Sequence, residues 1–161
     1  MKLYHGSNVE VIKPKILESV RNLDFGNGFY LTTDFEQAKK WSKSTTKRRK
    51  TGIPTVSVFN IDELEFENLK VKKFKNPNEE WLQFVSKNRK RIIYDNVYDI
   101  IIGPVADDDT MPTIDLYIQG YINEKEAIAR LLPYKLKDQV VFKTEKSLSK
   151  FNYIETISIL D

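Results

Sequence analysis

Residues 23–41, LDFGNGFYLTTDFEQAKKW, set a turn, a strand and the start of a helix in one unbroken stretch, and they constrain the rest of the chain. Asp24, Gly26, Asn27 and Gly28 are turn-formers. Phe29-Tyr30-Leu31-Thr32 is a short β-favouring run, and Thr33 or Asp34 can cap the helix that follows. That helix carries Phe35, Ala38 and Trp41 at spacings of three, which puts them on one face. A glycine loop, a strand bearing an aromatic and a capped helix with a second aromatic suit a platform for a flat polar ring. The same order also suits an ordinary loop–strand–helix unit whose aromatics belong to the core.

Composition narrows what such a platform could serve. The 161 residues fit one domain over 1–161, enough chain to bury roughly two-thirds of its unfolded surface. An apolar share of 40% and an aromatic share of 12% support a proper core and argue against disorder. The chain has no cysteine, which excludes disulfides, thiol catalysis and thiolate metal sites. Its lone histidine, His5, argues against a histidine-based zinc site, and no metal is expected. Met1-Lys2-Leu3-Tyr4-His5 has no apolar run behind it, and the longest apolar stretches are strand-sized. The expectation is a cytoplasmic protein with no membrane partner. The net charge of +3 is unevenly spread: Lys39, Lys40, Lys43, Lys47, Arg48, Arg49 and Lys50 crowd one region, and Lys87, Arg89, Lys90 and Arg91 another. Such runs can track the phosphates of a nucleic acid, though solvated faces and helix C-termini use cations in the same way.

Along the chain, Lys2–His5 reads as a first strand stopped by Gly6-Ser7-Asn8. Residues 16–23 are ambiguous. Helix formation is expected from Asp34 to about Ser44, with a basic loop from there to Pro54. Thr55–Ile61 alternates β-branched residues and is predicted as a strand; Leu69–Phe74 is another. Asn76 is expected to cap a helix with Pro77 in its first turn and Trp81, Leu82, Phe84 and Val85 on its apolar face, ending near Lys90. Tyr98–Ile102 reads as a buried strand closed by Gly103-Pro104. The acidic run Asp107-Asp108-Asp109 lacks calcium-loop spacing and reads as a solvated loop leading into a helix over Thr113–Tyr121. A second helix, capped by Asn123, runs to Leu132. Gln139–Thr144 is a late strand, Ser147–Lys150 one helical turn, and Tyr153–Leu160 a final strand. The sum is an α+β domain of short, mostly antiparallel strands with helices packed around them.

Four blocks in order, Leu3-Tyr4-His5-Gly6-Ser7, the Leu23–Trp41 segment, Gly103–Asp108 (GPVADD) and Gln139–Thr144 (QVVFKT), resemble a bacterial family catalogued as domain of unknown function 3990. More broadly, His5-Gly6-Ser7, Gly28-Phe29-Tyr30, Trp41 eleven residues beyond Tyr30, and the strand opened by Gln139 resemble the ADP-ribosyltransferase superfamily, in its diphtheria-toxin and poly(ADP-ribose)-polymerase-like branch. The resemblance implies split antiparallel β-sheets with flanking helices, NAD as co-substrate, and mono-ADP-ribosyl transfer by the toxin of a bacterial toxin–antitoxin pair. Its partners would be a small antitoxin protein and a macromolecular acceptor, protein or nucleic acid.

What it implies for residues is specific. Gly6 would hydrogen-bond the nicotinamide carboxamide through its backbone, His5 the adenosine-side ribose, and Ser7 would assist nearby. Gly28 belongs to the cofactor-binding loop. Tyr30 and Trp41 would sandwich or edge the nicotinamide ring. His5, Tyr30 and Gln139 would form the catalytic set. Gln139 departs from the family pattern, which has glutamate there in chain-elongating relatives. An amide oxygen can accept a bond from the ribose 2′-hydroxyl but cannot take up a proton, so chain elongation is not expected and single transfer is. The adjacent Asp138 is set aside as a substitute, because neighbouring strand residues face opposite sides. The same glutamine makes an inactive NAD- or ADP-ribose-binding module the alternative.

Overall fold

Thr55–Ile61, the run with the strongest strand pattern, lies at the centre of a three-stranded antiparallel sheet in the computed structural model, which describes residues 1–16, 23–90 and 97–160. This strand, β3 (Thr55–Ile61), pairs with β1 (Lys2–Ser7) on one side and β7 (Phe151–Ser158) on the other. A second sheet has the order β2 (Phe29–Leu31), β6 (Asp138–Phe142), β5 (Ile100–Pro104), β4 (Val71–Lys73). Its pairings are antiparallel except β4 with β5, which run parallel.

Alternation along the strands sorts the chain into four layers. Val56 and Val58 meet Ala38 of helix α1 (Phe35–Arg49) on the outer face of the first sheet. Leu3, Phe59 and Ile61 turn inward and meet Phe29, Leu31, Ile100, Val140 and Phe142 of the second sheet. The intervening residues Ile101 and Val141 face outward again, against Trp81, Leu82 and Val85 of α2 (Glu79–Arg89) and residues of α3 (Met111–Ile118) and α4 (Glu124–Leu131). Trp81 is fully buried and its indole N–H donates to the Pro104 carbonyl at 3.0 Å, so neither its area nor its polar atom is wasted. A short helix, α5 (Glu145–Leu148), leads into β7. Among the described residues no helix is long and apolar enough to cross a membrane.

Several boundaries differ from the sequence expectation, each for a local reason. Strand β1 continues through Gly6 and Ser7, because β3 supplies partners as far as Thr55. Helix α1 is capped by Asp34, which accepts from Gln37 N at 2.8 Å, and runs past Ser44 to Arg49. Its basic last turn suits the negative end of the helix dipole, and Lys50 closes it in a left-handed conformation. The expected basic loop is therefore largely helix. Helix α2 is capped by Asn78, whose side chain accepts from Trp81 N at 3.0 Å, rather than by Asn76. Helix α3 begins at Met111, two residues early, with Pro112 in its first turn. Residues 17–22 and Arg91, part of the ambiguous segment and of the second basic cluster, lie outside the described residues.

Candidate functional site

The two sheets touch edge to edge at a single bridge among the described residues. Tyr4 N donates to Thr32 O at 2.9 Å and Thr32 N returns to Tyr4 O at 3.0 Å. Continuing that antiparallel register would pair Gly6 with Tyr30, but the strands separate instead. Strand residues two apart direct their backbone polar groups to the same side. Gly6 N–H and C=O therefore point away from β3, into the gap between the sheets, with no hydrogen-bond partner for either among the described residues. Gly6 is buried, so a donor and an acceptor lie side by side in a protected notch.

Why glycine stands there is visible on the other side of the strand. A Cβ at Gly6 would run into the Ala38 carbonyl oxygen and lie 2.8 Å from Ser42 N, both backbone atoms of α1. The helix thus seats directly on the strand, and Trp41 sits one turn from Ala38 and beside Ser42, half-buried.

His5 takes the place of the missing bridge. Its Nδ1 lies 2.8 Å from the Tyr30 carbonyl oxygen, and its ring stacks on Phe29 with centroids 4.2 Å apart. A carbonyl only accepts, so Nδ1 carries the proton and Nε2 presents a lone pair. Burial pushes the imidazole pKa down to about 4; the Tyr30 carbonyl opposes that shift and the Arg49 guanidinium adds to it. The ring is neutral at physiological pH. Nε2 has no hydrogen-bond partner among the described residues, so it is an available acceptor.

The turn at residues 24–26 ties Tyr30 to Gln139. Tyr30 Oη accepts from Phe25 N at 3.0 Å and donates to Gly26 O at 2.7 Å. Burial, with help from the nearby Asp24 charge, raises the phenol pKa well above its ordinary value. Its proton is therefore not available for transfer, and its ring packs against the cluster that holds Phe25, Trp81 and Val141. Gln139 is buried; its Nε2 donates to Asp24 Oδ2 at 3.0 Å and to Pro104 O at 3.2 Å. Asp24 is also buried, and its other bonds come from Arg89, through Nε at 2.8 Å and through Nη2, and from Ala106 N at 2.9 Å. Lys143 completes the turn by donating Nζ to Phe25 O at 2.6 Å, and burial lowers that amine's pKa to about 8.

The structure thus brings His5, Gly6 and the Tyr30 backbone carbonyl together at the notch, packs the Tyr30 ring against the core cluster around Trp81 and Val141, and links Gln139 to Tyr30 through residues 24–26. Trp41 and Tyr30 make no ring contact with one another among the described residues. Ser7 is buried beyond His5, with Oγ 3.4 Å from Asn8 Oδ1. Gly28 faces β6, where a Cβ would meet Val141 and the Phe142 carbonyl, so its smallness serves the packing of β2 on β6. Asp138 binds Thr32 Oγ1, Thr33 N and Thr33 Oγ1 at 2.7–3.0 Å, away from Gln139 as strand alternation requires. Asp107 accepts from Thr110 N and Thr110 Oγ1, each at 3.0 Å, at the start of α3. Asp24 and Arg89 are the residues that the sequence reading passed over, as a turn-former and as one cation in a cluster.

Over residues 1–153 the chain matches a family described as a protein of unknown function, DUF3990. Comparison with characterised proteins and with solved structures gave no match. The match runs from the first strand into β7 and so takes in His5, Gly6, Asp24, Tyr30, Trp41, Arg89 and Gln139 together: the chain belongs to the DUF3990 family.

Proposed function

We propose that this chain is an NAD-dependent mono-ADP-ribosyltransferase with an ADP-ribosyltransferase-like split-sheet fold, acting as the toxin of a bacterial toxin–antitoxin pair. The observation that carries the reading is the unpaired N–H and C=O of Gly6 in the notch between the sheets. A primary carboxamide has one acceptor oxygen and an NH₂ donor on one carbon, so it can satisfy both groups at once, as a neighbouring strand would. Nicotinamide carries such a group on a flat ring, and the Tyr30 and Trp41 side chains come from the two elements flanking the notch. His5 Nε2 is an acceptor suited to a ribose hydroxyl.

Transfer breaks the bond between the ribose C1′ and the pyridinium nitrogen. The electron pair leaves with the ring as neutral nicotinamide, and the acceptor's nucleophile bonds to C1′ and loses a proton. Positive charge grows on the ribose during this step, and an acceptor such as Gln139 Oε1 on the 2′-hydroxyl steadies it. Gln139 cannot take the acceptor's proton, and the Asp24 carboxylate is already occupied by Arg89. The acceptor must therefore be nucleophilic as it stands or bring its own base. Incubating the protein with labelled NAD and lysate should move label to a macromolecule, and His5→Ala and Tyr30→Ala should lose the transfer. Absence of both transfer and nicotinamide release would reject the enzyme.

A second reading, a binding module for NAD or ADP-ribose without turnover, is favoured by one feature. Gln139 stands where chain-elongating relatives carry a glutamate, and it is hydrogen-bonded into the core. Calorimetric NAD binding with no nicotinamide released from a broad acceptor pool would select it.

A further inference from the structure

We infer that Asp24 is a positioning residue: it fixes the Gln139 amide so that Oε1, and not the NH₂ group, faces the substrate. The inference rests on the transferase reading for its catalytic meaning and on geometry for the orientation itself. Both partners of the Gln139 nitrogen, Asp24 Oδ2 and Pro104 O, are acceptors only, so the amide has one permitted orientation. Asp24 is held in turn by Arg89 on Oδ1 and by Ala106 N on Oδ2, so it cannot turn away. Oε1 is left with no hydrogen-bond partner among the described residues.

Orientation matters because a ribose hydroxyl can either donate or accept. Oε1 accepting from the 2′-hydroxyl pushes electron density toward a ribose that is becoming cationic. An NH₂ donating to the same hydroxyl would bind the ground state about as well but withdraw density in the transition state. The same turn holds Tyr30 through Phe25 N and Gly26 O, so one short segment sets both the ring and the amide.

Asp24→Asn tests this. Arg89 holds the remaining carbonyl oxygen, so the new NH₂ meets the Gln139 and Ala106 N–H donors, and the glutamine keeps only Pro104 O to fix its orientation. The expected result is at least a tenfold fall in kcat for nicotinamide release, with KM for NAD within about threefold of wild type. Adding Gln139→Glu in that background restores an acceptor toward the substrate and should recover most of the lost kcat. A wild-type kcat in folded Asp24→Asn, or no recovery in a folded double variant, overturns the proposal. If Asp24→Asn does not fold, the wild-type protein still answers: the Gln139 side-chain amide protons should exchange far more slowly than those of exposed glutamines. Free exchange overturns the orientation. Slow exchange in a protein that releases no nicotinamide sustains the orientation and removes the transferase reading.

Discussion

The imidazole of His5 donates from Nδ1 to the backbone carbonyl of Tyr30 at 2.8 Å, which joins the edges of two sheets where their ladder has stopped. The bond requires a neutral ring with its proton on that nitrogen, and burial lowers the folded pKa from 6.5 to about 4. Between those values the unfolded chain binds more protons than the folded one, so stability falls as pH drops. This contribution is fully present above pH 6.5 and is lost as pH falls through the folded value. At pH 5 the loss should be about 2 kcal/mol relative to pH 7.5. Urea denaturation at the two pH values should show it in the wild type and a clearly smaller difference in His5→Gln.

Gly6 faces the α1 backbone, and that backbone cannot rotate aside as a side chain can. Gly6→Ala should therefore destabilise the protein by about 3 kcal/mol or more, through displacement of α1 from β1. Gly120 is a useful contrast: nothing lies within 4 Å of its Cβ direction, but its φ is +83°. Gly120→Ala should lose only about 1 kcal/mol, from backbone strain alone. Equal midpoints for the two variants in denaturant would contradict the close approach at Gly6.

Tyr30→Phe keeps the ring and removes the hydroxyl that satisfies Phe25 N and Gly26 O. The orphaned turn groups should lower stability by about 1–3 kcal/mol. NAD affinity measured by calorimetry should change by less than about threefold, because the hydroxyl is already committed to Phe25 N and Gly26 O. A large affinity loss without a stability loss would place the hydroxyl in the ligand site instead.

Much of the fold could be read from pattern, and the failures share a cause. Thr55–Ile61, the apolar face of α2 and Asn123 as a cap follow from side-chain periodicity and local hydrogen bonding, which a sequence displays directly. The last turns of α1 did not, because Thr45 and Thr46 with a run of cations look loop-like in isolation. Thr46 Oγ1 bonds back to Ser42 O, and Asn8 holds Arg49 from across the chain. Gly6 reads in the sequence as a strand stop, and only the fold shows that the α1 backbone occupies the space of its missing Cβ. The Asp24–Arg89 and Asp24–Gln139 bonds span 65 and 115 residues. Nothing local distinguishes that aspartate from any other turn-former, so this half of the candidate site needed the fold to be seen.

Arg89 is the charge that keeps Asp24 tolerable in the interior, and its removal separates a buried ion pair from a surface one. The Asp24 side chain is 5% exposed and accepts from Arg89 through both Nε and Nη2. Among the described residues, Arg89→Met leaves that carboxylate with the Gln139 and Ala106 donors, too few to replace a cation. A loss of about 3–5 kcal/mol is expected, the range for breaking one side of a buried pair. Arg130 pairs with Glu126 one helical turn away, at 2.9 Å, but both side chains are about half exposed. Arg130→Met should cost no more than about 0.5 kcal/mol, since solvent screens the pair and its side chains give up rotamer freedom to form it. Chemical denaturation of the two variants side by side checks the difference. Near-equal losses would mean that Asp24 is better hydrated than its burial allows and that the turn holding Tyr30 and Gln139 is softer than its hydrogen bonds require.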